Sequence, residues 1–395
     1  MSIEGYTAAG FEKVREQFEQ NFGAGHEVGA AFAAYHRGEK VVDLWGGVAD
    51  VASARPWVED TVEIVYSSTK GATAVCANKL AQEGRLDIDA PVATYWPEFA
   101  QAGKEELPVR YLLSHQAGLP WVDEELTLDD VLAWDPLVEA LARQAPVWEP
   151  GTAHGYHAVT YGHLVGEVVR RITGRTLGTY FREEVAEPLG LDFWIGLPEE
   201  QEPRVASLVG TIGTGPGAEV DEATRALIEQ FMGPDSMLGR ALTVNGAFNR
   251  GLDEQEANVF NSRRVHAAEI PAANGICDAR SLARMYAACV GEVDGVRILT
   301  EAQMRDAATQ QTSGPNTVLL DMDLQFGLGF FVPSTMMDIG GPRSFGHAGA
   351  GGSLGWADPD ADMAFGYVMN KMAQAIAGDL RSSSLINACY DSVGA

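Results

Sequence analysis

Basic residues are scarce in this chain of 395 residues. Lys and Arg total 28 against 55 Asp and Glu, which gives a net charge of −27. A field of that sign repels phosphate backbones and anionic lipid headgroups, so neither nucleic acid nor a membrane surface is an expected partner. The skew carries no information about the fold.

Cysteines are equally few, and the four that occur lie far apart in the sequence. No Cys-x-x-Cys pair is present, and the spacing fits no disulfide framework. The cysteines are therefore expected to be reduced, buried thiols, as is usual in cytosolic proteins. They are Cys76, Cys277, Cys289 and Cys389.

Long apolar runs are also missing. No stretch of 18 apolar residues occurs, and the first residues lack the basic and apolar regions of a secretory signal, so a cytoplasmic protein is expected. With 46% hydrophobic and 21% charged residues the chain can bury a sizeable core, which excludes wholesale disorder. Its length favours one large domain or two closely packed ones.

The N-terminal part of the chain predicts a helix followed by a hairpin. Two β-like runs, 28–36 and 40–48, are joined by Arg37, Gly38 and Glu39 and are typical of an antiparallel pair. A helix rich in small residues follows and ends at Gly84. The apolar residues that recur at helical spacing in the first helix are Phe11, Val14, Phe18 and Phe22.

Residues 93–270 favour helices and loops over strands. Thr127 with Asp130 forms a cap pair, Asp135 and Pro136 open a helix, and another helix runs from 160 to 173. The segment 210–274 is rich in glycine and weakly periodic, so its structure is left open.

Strand-like runs return in the last third of the chain. Asp278 caps one helix, and Thr300 with Gln303 starts another. Strands at both ends of the chain with helices between them predict one sheet completed by both ends and a helical domain inserted into it. The strand-like runs are 326–332, 344–349, 353–357 and 363–369, and a final helix covers about 377–390.

The first candidate for chemistry is Ser67 with Lys70, at the start of the small-residue helix. Positions i and i+3 share a helix face, so the Lys70 amine can sit beside the Ser67 hydroxyl and stabilise its alkoxide or accept its proton. A lysine in such a helix is costly to bury without a function. The alternative is a surface lysine near a helix start.

The second candidate is Tyr156, on a glycine-containing loop ahead of the helix from residue 160. A tyrosine can act as a general base if cationic neighbours lower its pKa. The alternative is a packing residue. His154, His157 and His163 lie nearby, but their spacing fits no zinc signature, so neither a metal nor another cofactor is expected.

The third candidate is the segment from His347 to Gly355. Its small residues permit a backbone to approach a ligand closely, and an N–H group there can serve an oxyanion hole. Ser353 stands in a Gly-x-Ser-x-Gly pattern, but no histidine follows it and the flanking runs are strand-like, so the nucleophile elbow of α/β-hydrolases does not fit. Ser353 is therefore not the expected nucleophile.

These three pieces, in this order, resemble the serine β-lactamase and penicillin-binding protein superfamily, most closely its family VIII carboxylesterases. The resemblance extends over nearly the whole chain and includes the segments 84–92, 111–119 and 346–356. It implies an α/β fold of the α+β type, β-lactamase/transpeptidase-like, with an antiparallel sheet flanked by helices. It also implies a discontinuous α/β domain of residues 1–92 and 271–395, a mostly helical domain of 93–270, and an active site between them.

The resemblance further implies roles for individual residues. Ser67 matches the nucleophile, Lys70 its partner, and Tyr156 the base that works with that lysine. The backbone N–H groups of Ser67 and Ala350 match the oxyanion hole. The residues expected to contact substrate are His347, Gly349, Gln116, Trp121 and Trp356.

Two departures from the lactamase pattern bear on the substrate. Ala158 stands where Tyr-x-Asn would place an amide, and His347 stands where a permanent lysine cation would meet a lactam carboxylate. The expected function is therefore a serine carboxylesterase that hydrolyses small carboxylic esters through an acyl-enzyme, with Tyr156 as a base whose pKa Lys70 lowers. The alternatives are a β-lactamase or D-amino acid peptidase, or a non-catalytic scaffold. The oligomeric state is not readable from the sequence.

Overall fold

The computed structural model describes residues 2–210, 230, 232–250, 258–373 and 379–394. The strands are β1 (Ile3–Thr7), β2 (Gly29–His36), β3 (Glu39–Asp50), β4 (Arg55–Pro56), β5 (Glu63–Ile64), β6 (Phe193–Trp194), β7 (Ile276–Cys277), β8 (Gln325–Phe326), β9 (Phe331–Val332), β10 (Phe345–Ala348), β11 (Leu354–Asp358) and β12 (Met363–Met369). The α-helices are α1 (Glu12–Gly23), α2 (Thr69–Gln82), α3 (Val109–Leu113), α4 (Leu128–Leu132), α5 (Asp135–Arg143), α6 (Thr160–Thr173), α7 (Leu177–Phe181), α8 (Glu187–Leu189), α9 (Met237–Thr243), α10 (Arg263–Ala267), α11 (Ala279–Val290), α12 (Glu301–Ala308) and α13 (Leu380–Val393).

One large antiparallel sheet is completed by both ends of the chain, as the sequence predicts. Its order is β1-β3-β2-β12-β11-β10-β9-β8, and β4 pairs with the end of β3. β2 lies directly against β12, with Phe32 opposite Tyr367. The predicted hairpin is also confirmed, since Arg37 and Gly38 form a two-residue turn in which both residues have positive φ.

The two faces of the sheet carry side chains of different size. Glycines on β11 and β12 let α11 approach one face closely, because a Cβ on Gly366 would lie 2.2 Å from the Ala279 carbonyl oxygen. The opposite face carries larger rings such as Phe32 and Phe365, whose centroids are 6.4 Å apart. These rings pack in one apolar cluster with residues of α1 and α13.

Helix α2 connects the sheet to the helical part of the chain. It contacts β10 on one side and α6 and α7 on the other. Its small residues permit this packing, since a Cβ on Gly71 would lie 2.1 Å from the Tyr286 hydroxyl oxygen. A three-stranded sheet in the order β5-β7-β6 adds a second contact between the parts. The domain boundaries at 92 and 270 stay a prediction.

The structure differs from the strand predictions in two places. β1 was not predicted, because it is an edge strand that exposes most of its side chains and so has no apolar alternation. The run 326–332 is a tight hairpin of β8 and β9 instead of one strand. Its turn residue Gly329 has φ of 92° and packs against Ala74 of α2. The apolar residues in the middle of this run therefore belong to a turn and not to a strand.

The helix predictions agree with the structure where it can be compared. Thr127 and Asp130 form a capping box at α4, and Asp278 and Thr300 cap α11 and α12. All four cysteines are free and buried, as expected. Much of the segment left open, 210–274, and the predicted start of the last helix at 377 lie outside the described residues. No helix in the described ranges is both long enough and apolar enough to cross a bilayer.

Candidate active site

Ser67 lies two residues before the start of α2, in a strained turn. Tyr66, which precedes it, has φ of 43°, a left-handed conformation that residues other than glycine rarely adopt. The Tyr66 carbonyl closes the turn by accepting hydrogen bonds from the backbone N–H and the hydroxyl of Thr69, at 3.0 and 2.5 Å. Ser67 is half-buried whereas Ser68 is fully buried, so Ser67 is the hydroxyl that a substrate can reach.

Lys70 is fully buried one helical turn after Ser67. Its Nζ lies 3.0 Å from Ser67 Oγ, 2.7 Å from the Ala158 carbonyl oxygen and 2.9 Å from that of Ala272. Carbonyl oxygens only accept hydrogen bonds, so two N–H groups of the amine point at them and its third direction faces Ser67. No carboxylate of the described residues pairs with it, and burial lowers the pKa of Lys70 well below its ordinary value.

Tyr156 completes this group from the helical part of the chain. Its ring centre lies 4.7 Å from Lys70 Nζ, and its phenol interacts with the Ser67 hydroxyl. The rings of His115, Phe326 and Phe331 surround it at centroid distances of 5.2, 6.3 and 6.2 Å. The structure thus brings together the three side chains that the sequence singled out.

The expected pKa of Tyr156 needs a correction. Burial raises the pKa of the Tyr156 phenol, and the contact with Ser67 opposes that rise only in part. The expectation that Lys70 holds this pKa low is wrong in the resting site, because the same burial favours the neutral amine over the ammonium. The two pKa shifts favour a neutral phenol and a neutral amine, and of these two forms it is the amine that has a lone pair available to the Ser67 hydroxyl.

The turn after β10 packs against the start of α2. Ser68 Oγ donates to the His347 carbonyl oxygen at 3.2 Å, and a Cβ on Gly349 would lie 3.2 Å from Ser68 N. On the two sides of this contact, the N–H groups of Ser67 and Ala350 donate to no group among the described residues. Both residues are half-buried. Two free N–H groups beside the Ser67 hydroxyl are the arrangement that an oxyanion hole requires.

Gly349 and Ser353 hold this turn in place. A Cβ on Gly349 would lie 2.2 Å from both Ser353 Oγ and the Val65 carbonyl oxygen, so only glycine fits. Ser353 is buried, donates to the Val65 carbonyl at 2.7 Å and lies 3.1 Å from Ser68 Oγ. This agrees with the interpretation that Ser353 is not the nucleophile. The part played by Gly349 in the structure is close packing.

His347 lies beside Tyr156 but is closed off from solvent. Its ring stacks on Phe331 at 3.9 Å and lies 6.3 Å from the Tyr156 ring. Nδ1 faces the Ala348 carbonyl oxygen at 2.7 Å, so it carries the proton, and buried Nε2 has no partner among the described residues. Burial and the proximity of Lys70 hold the pKa of His347 well below its ordinary value, so the ring is neutral.

Three further residues were expected to contact substrate. Trp121 is buried, with the Arg240 guanidinium 4.3 Å above its ring. The Gln116 amide instead donates to Ser114 Oγ at 2.7 Å. The expectation that Trp356 contacts substrate is corrected by the structure. Its side chain is fully buried on the face of the sheet opposite α11 and donates to the Ile339 carbonyl. Strand alternation turns it away from Ser67.

The histidines near Tyr156 are engaged with the backbone. His157 Nδ1 donates to the Gly155 carbonyl at 2.6 Å, and its Nε2 accepts the Leu119 N–H at 2.9 Å. His163 Nε2 lies 3.3 Å from the Val131 carbonyl oxygen. Within the described ranges no three His, Cys, Asp or Glu side chains are arranged to hold a metal ion.

Two groups of this site escaped the sequence analysis. They are the carbonyl oxygens of Ala158 and Ala272, which orient the Lys70 amine. Backbone carbonyls carry no side-chain signal, so no sequence pattern identifies them. The sequence analysis noted Ala158 only because it replaces the asparagine of a Tyr-x-Asn pattern.

The comparison with protein families decides the affiliation of this chain. The family model described as Beta-lactamase matches residues 14–382. The chain belongs to the β-lactamase family. This membership confirms the predicted fold and the resemblance stated from the motifs.

Esterases stand among the relatives of this β-lactamase-family protein. The chain is 39% identical over 349 residues to the Mycobacterium tuberculosis protein described as Esterase/beta-lactamase LipL, a match that covers 87% of this chain and 77% of the relative. The crystal structure of a family VIII carboxylesterase matches with a TM-score of 0.87 and 39% identity, over 99% of this chain and 100% of the other. EstA from Arthrobacter nitroguajacolicus Rue61a matches with a TM-score of 0.86 and 35% identity, over 100% and 99%. The protein is an enzyme, a serine hydrolase of the β-lactamase fold.

Proposed function

We propose that this enzyme hydrolyses small carboxylic esters through an acyl-enzyme on Ser67. The observation that carries the proposal is the geometry of Lys70. Its amine is buried, paired with two carbonyl oxygens and aimed at Ser67 Oγ at 3.0 Å. A desolvated amine in this position is a base for the serine hydroxyl, and a hydroxyl so activated attacks a carbonyl carbon.

Acylation begins when Ser67 Oγ attacks the ester carbonyl and passes its proton to neutral Lys70 Nζ. The carbonyl oxygen becomes an oxyanion that the N–H groups of Ser67 and Ala350 bind. The C–O bond to the alcohol then breaks. Tyr156, whose protonated phenol lies against Ser67, gives its proton to the leaving alkoxide and regains one from the Lys70 ammonium, so protons balance.

Deacylation runs by the reverse route. A water molecule takes the place of the alcohol and attacks the acyl carbon. One of its protons passes through Tyr156 to Lys70, and the carboxylic acid leaves as the Lys70 ammonium reprotonates Ser67 Oγ. The acid then gives its remaining proton to solvent. No cofactor is required in either half.

β-Lactam hydrolysis is the second candidate, because the Mycobacterium tuberculosis relative is described as both an esterase and a β-lactamase. Two features of this chain weigh against it. Ala158 offers no amide to a lactam side chain, and its carbonyl is engaged by Lys70. His347 is buried and neutral, so it supplies no cation for the lactam carboxylate. The same features weigh against a D-amino acid peptidase.

Parallel assays with a short-chain nitrophenyl ester and a chromogenic cephalosporin test the substrate class. We expect ester turnover to dominate, and dominant cephalosporin turnover would reverse the assignment. A fluorophosphonate probe tests catalysis itself: intact mass should show one adduct, with Ser67 in the labelled peptide. A non-catalytic scaffold forms no adduct.

A further inference from the structure

Asn316 is a fully buried polar residue that contacts the backbone of Tyr156. It lies in the segment between α12 and β8, 160 positions away in the chain. Its Oδ1 accepts the N–H of Tyr156 at 3.1 Å and the N–H groups of Val318 and Leu319 at 3.2 and 3.0 Å. One side-chain oxygen therefore ties the segment after Asn316 to the residue that carries the phenol.

The neighbours of Asn316 strengthen this contact. The N–H and the hydroxyl of Thr317 both donate to the His154 carbonyl at 3.0 Å. Gly155 permits the approach, because a Cβ there would lie 2.5 Å from Thr317 Oγ1 and 2.8 Å from Val318 Cγ2. The two backbones thus lie against each other directly ahead of Tyr156.

A second clamp holds the other side of Tyr156. His115 Nδ1 accepts the N–H of His157 at 3.0 Å, and the His115 carbonyl accepts the N–H of Gly155 at 3.0 Å. The Tyr156 ring itself touches mainly other rings, whose contacts have little directionality. The position of its phenol is therefore set largely by these backbone anchors.

We infer that Asn316 is a positioning residue for proton transfer: its Oδ1 fixes the Tyr156 backbone so that the phenol meets Ser67. The inference rests on the proposed function of Tyr156. Proton relays tolerate little displacement, and a shift of about 1 Å at a reacting group can lower a rate by about 10²-fold. The Asn316 Nδ2 group has no partner among the described residues, so the function resides in Oδ1.

This assignment predicts rescue by the residue that keeps the oxygen. Asn316→Asp retains an acceptor for all three N–H groups, which in turn stabilise its carboxylate. Asn316→Ala removes the acceptor. The matched control is Asn21→Ala: Asn21 is also buried and its Nδ2 donates to the Arg381 carbonyl, but it lies on α1, across the sheet.

The measurement is the pre-steady-state burst of alcohol from a short-chain alkyl ester, followed by rapid quench, because an alkoxide needs the Tyr156 proton to leave whereas a nitrophenolate does not. Its dependence on ester concentration separates the acylation rate constant from the dissociation constant. We expect N316A to lower the rate constant about 10²-fold with the dissociation constant nearly unchanged, N316D to recover most of the loss, and N21A to match the wild type. An N316A rate equal to wild type, or an N316D variant as slow as N316A, would overturn the inference.

A double variant separates this inference from the proposed function. If Asn316 acts through the phenol, N316A combined with Tyr156→Phe is no slower than Y156F alone, whereas an added loss contradicts the inference. A Y156F enzyme with the wild-type rate would instead refute the proposed function of Tyr156. Should N316A fail to fold, Asn316→Ser replaces it in the same experiments. The serine side chain is too short for its oxygen to reach all three N–H groups, so the same results are expected.

Discussion

Lys70 Nζ lies 3.0 Å from Ser67 Oγ, with its other hydrogen bonds taken by two backbone carbonyls. A protonated amine would donate to all three oxygens, but burial lowers the pKa of Lys70 and favours the form with a lone pair. In that form the two N–H groups of the amine donate hydrogen bonds to the carbonyl oxygens of Ala158 and Ala272. The lone pair is then directed at Ser67. The backbone therefore selects which face of the amine is turned towards Ser67 Oγ.

The acylation rate should rise with pH as Lys70 loses its proton. The active form is the neutral amine, and burial lowers its pKa, so the rising limb should lie below the ordinary lysine value of about 10.4. The pH dependence of kcat/KM for a short-chain alkyl ester, whose alkoxide needs a proton to leave, measures this limb in the free enzyme. Tyr156→Phe should lower the whole profile without moving its midpoint, because the phenol is protonated throughout. If the rise of kcat/KM with pH disappeared in Y156F, the group that titrates would be Tyr156 and not Lys70.

Ser67→Ala should abolish covalent turnover, and Lys70→Ala should be nearly as damaging, because nucleophile and base act as one unit. The loss in Lys70→Ala should be at least about 10²- to 10⁴-fold. Ser68→Ala is the matched control: its hydroxyl is buried and bonded to the His347 carbonyl, so the variant should still label at Ser67. Probe labelling followed by intact mass measures all three. Labelling of Ser67→Ala at Ser68 would contradict the assignment.

The sequence could predict what depends on local spacing or on the family motifs. Ser67 and Lys70 share a helix face, and their contact follows from an i, i+3 spacing. Contacts made by backbone carbonyls could not be predicted, since Ala158 and Ala272 are chosen by tertiary position and carry no polar side chain. Trp356 was misplaced because its proximity to the His347 motif outweighed strand alternation. The pKa of Tyr156 was misjudged because the sequence does not reveal how completely Tyr156 and Lys70 are buried.

Gly349→Ala should impair both activity and folding. The new Cβ would lie 2.2 Å from Ser353 Oγ and from the Val65 carbonyl oxygen, so the turn that carries Ala350 must move. We expect acylation to fall by about 10²- to 10³-fold, the effect of losing one oxyanion donor. The control is Gly23→Ala at the end of α1, where, apart from the neighbouring backbone of the helix, no atom of the described residues lies within 4 Å of the added carbon. That variant should keep full activity, and a Gly349→Ala enzyme with wild-type acylation would show that this turn is not part of the oxyanion site.

Arg381→Met should destabilise the protein by about 3–5 kcal/mol, because it leaves one side of a buried ion pair without its partner. Arg381 Nη1 lies 3.2 Å from Glu27 Oε2, its guanidinium binds Asp379, and Nη2 donates to the Gly351 carbonyl at 2.6 Å. Its side chain is 6% exposed and that of Glu27 is not exposed. Urea unfolding of both proteins, fitted with the same m-value, measures the difference in free energy of unfolding.

The pH dependence of that loss separates the ion pair from simple packing. Burial raises the pKa of Glu27, and Arg381 opposes the rise. Without the arginine the folded pKa rises further, so folding takes up a proton and the variant loses stability as the pH increases through that pKa. The deficit should therefore be smaller near pH 5 than near pH 8. Arg143→Met, at a pair with Glu124 that is about half exposed on both sides, should cost less than about 1 kcal/mol at either pH. A deficit in Arg381→Met that did not change with pH would mean that the arginine acts through its packing and its hydrogen bond to Gly351 alone.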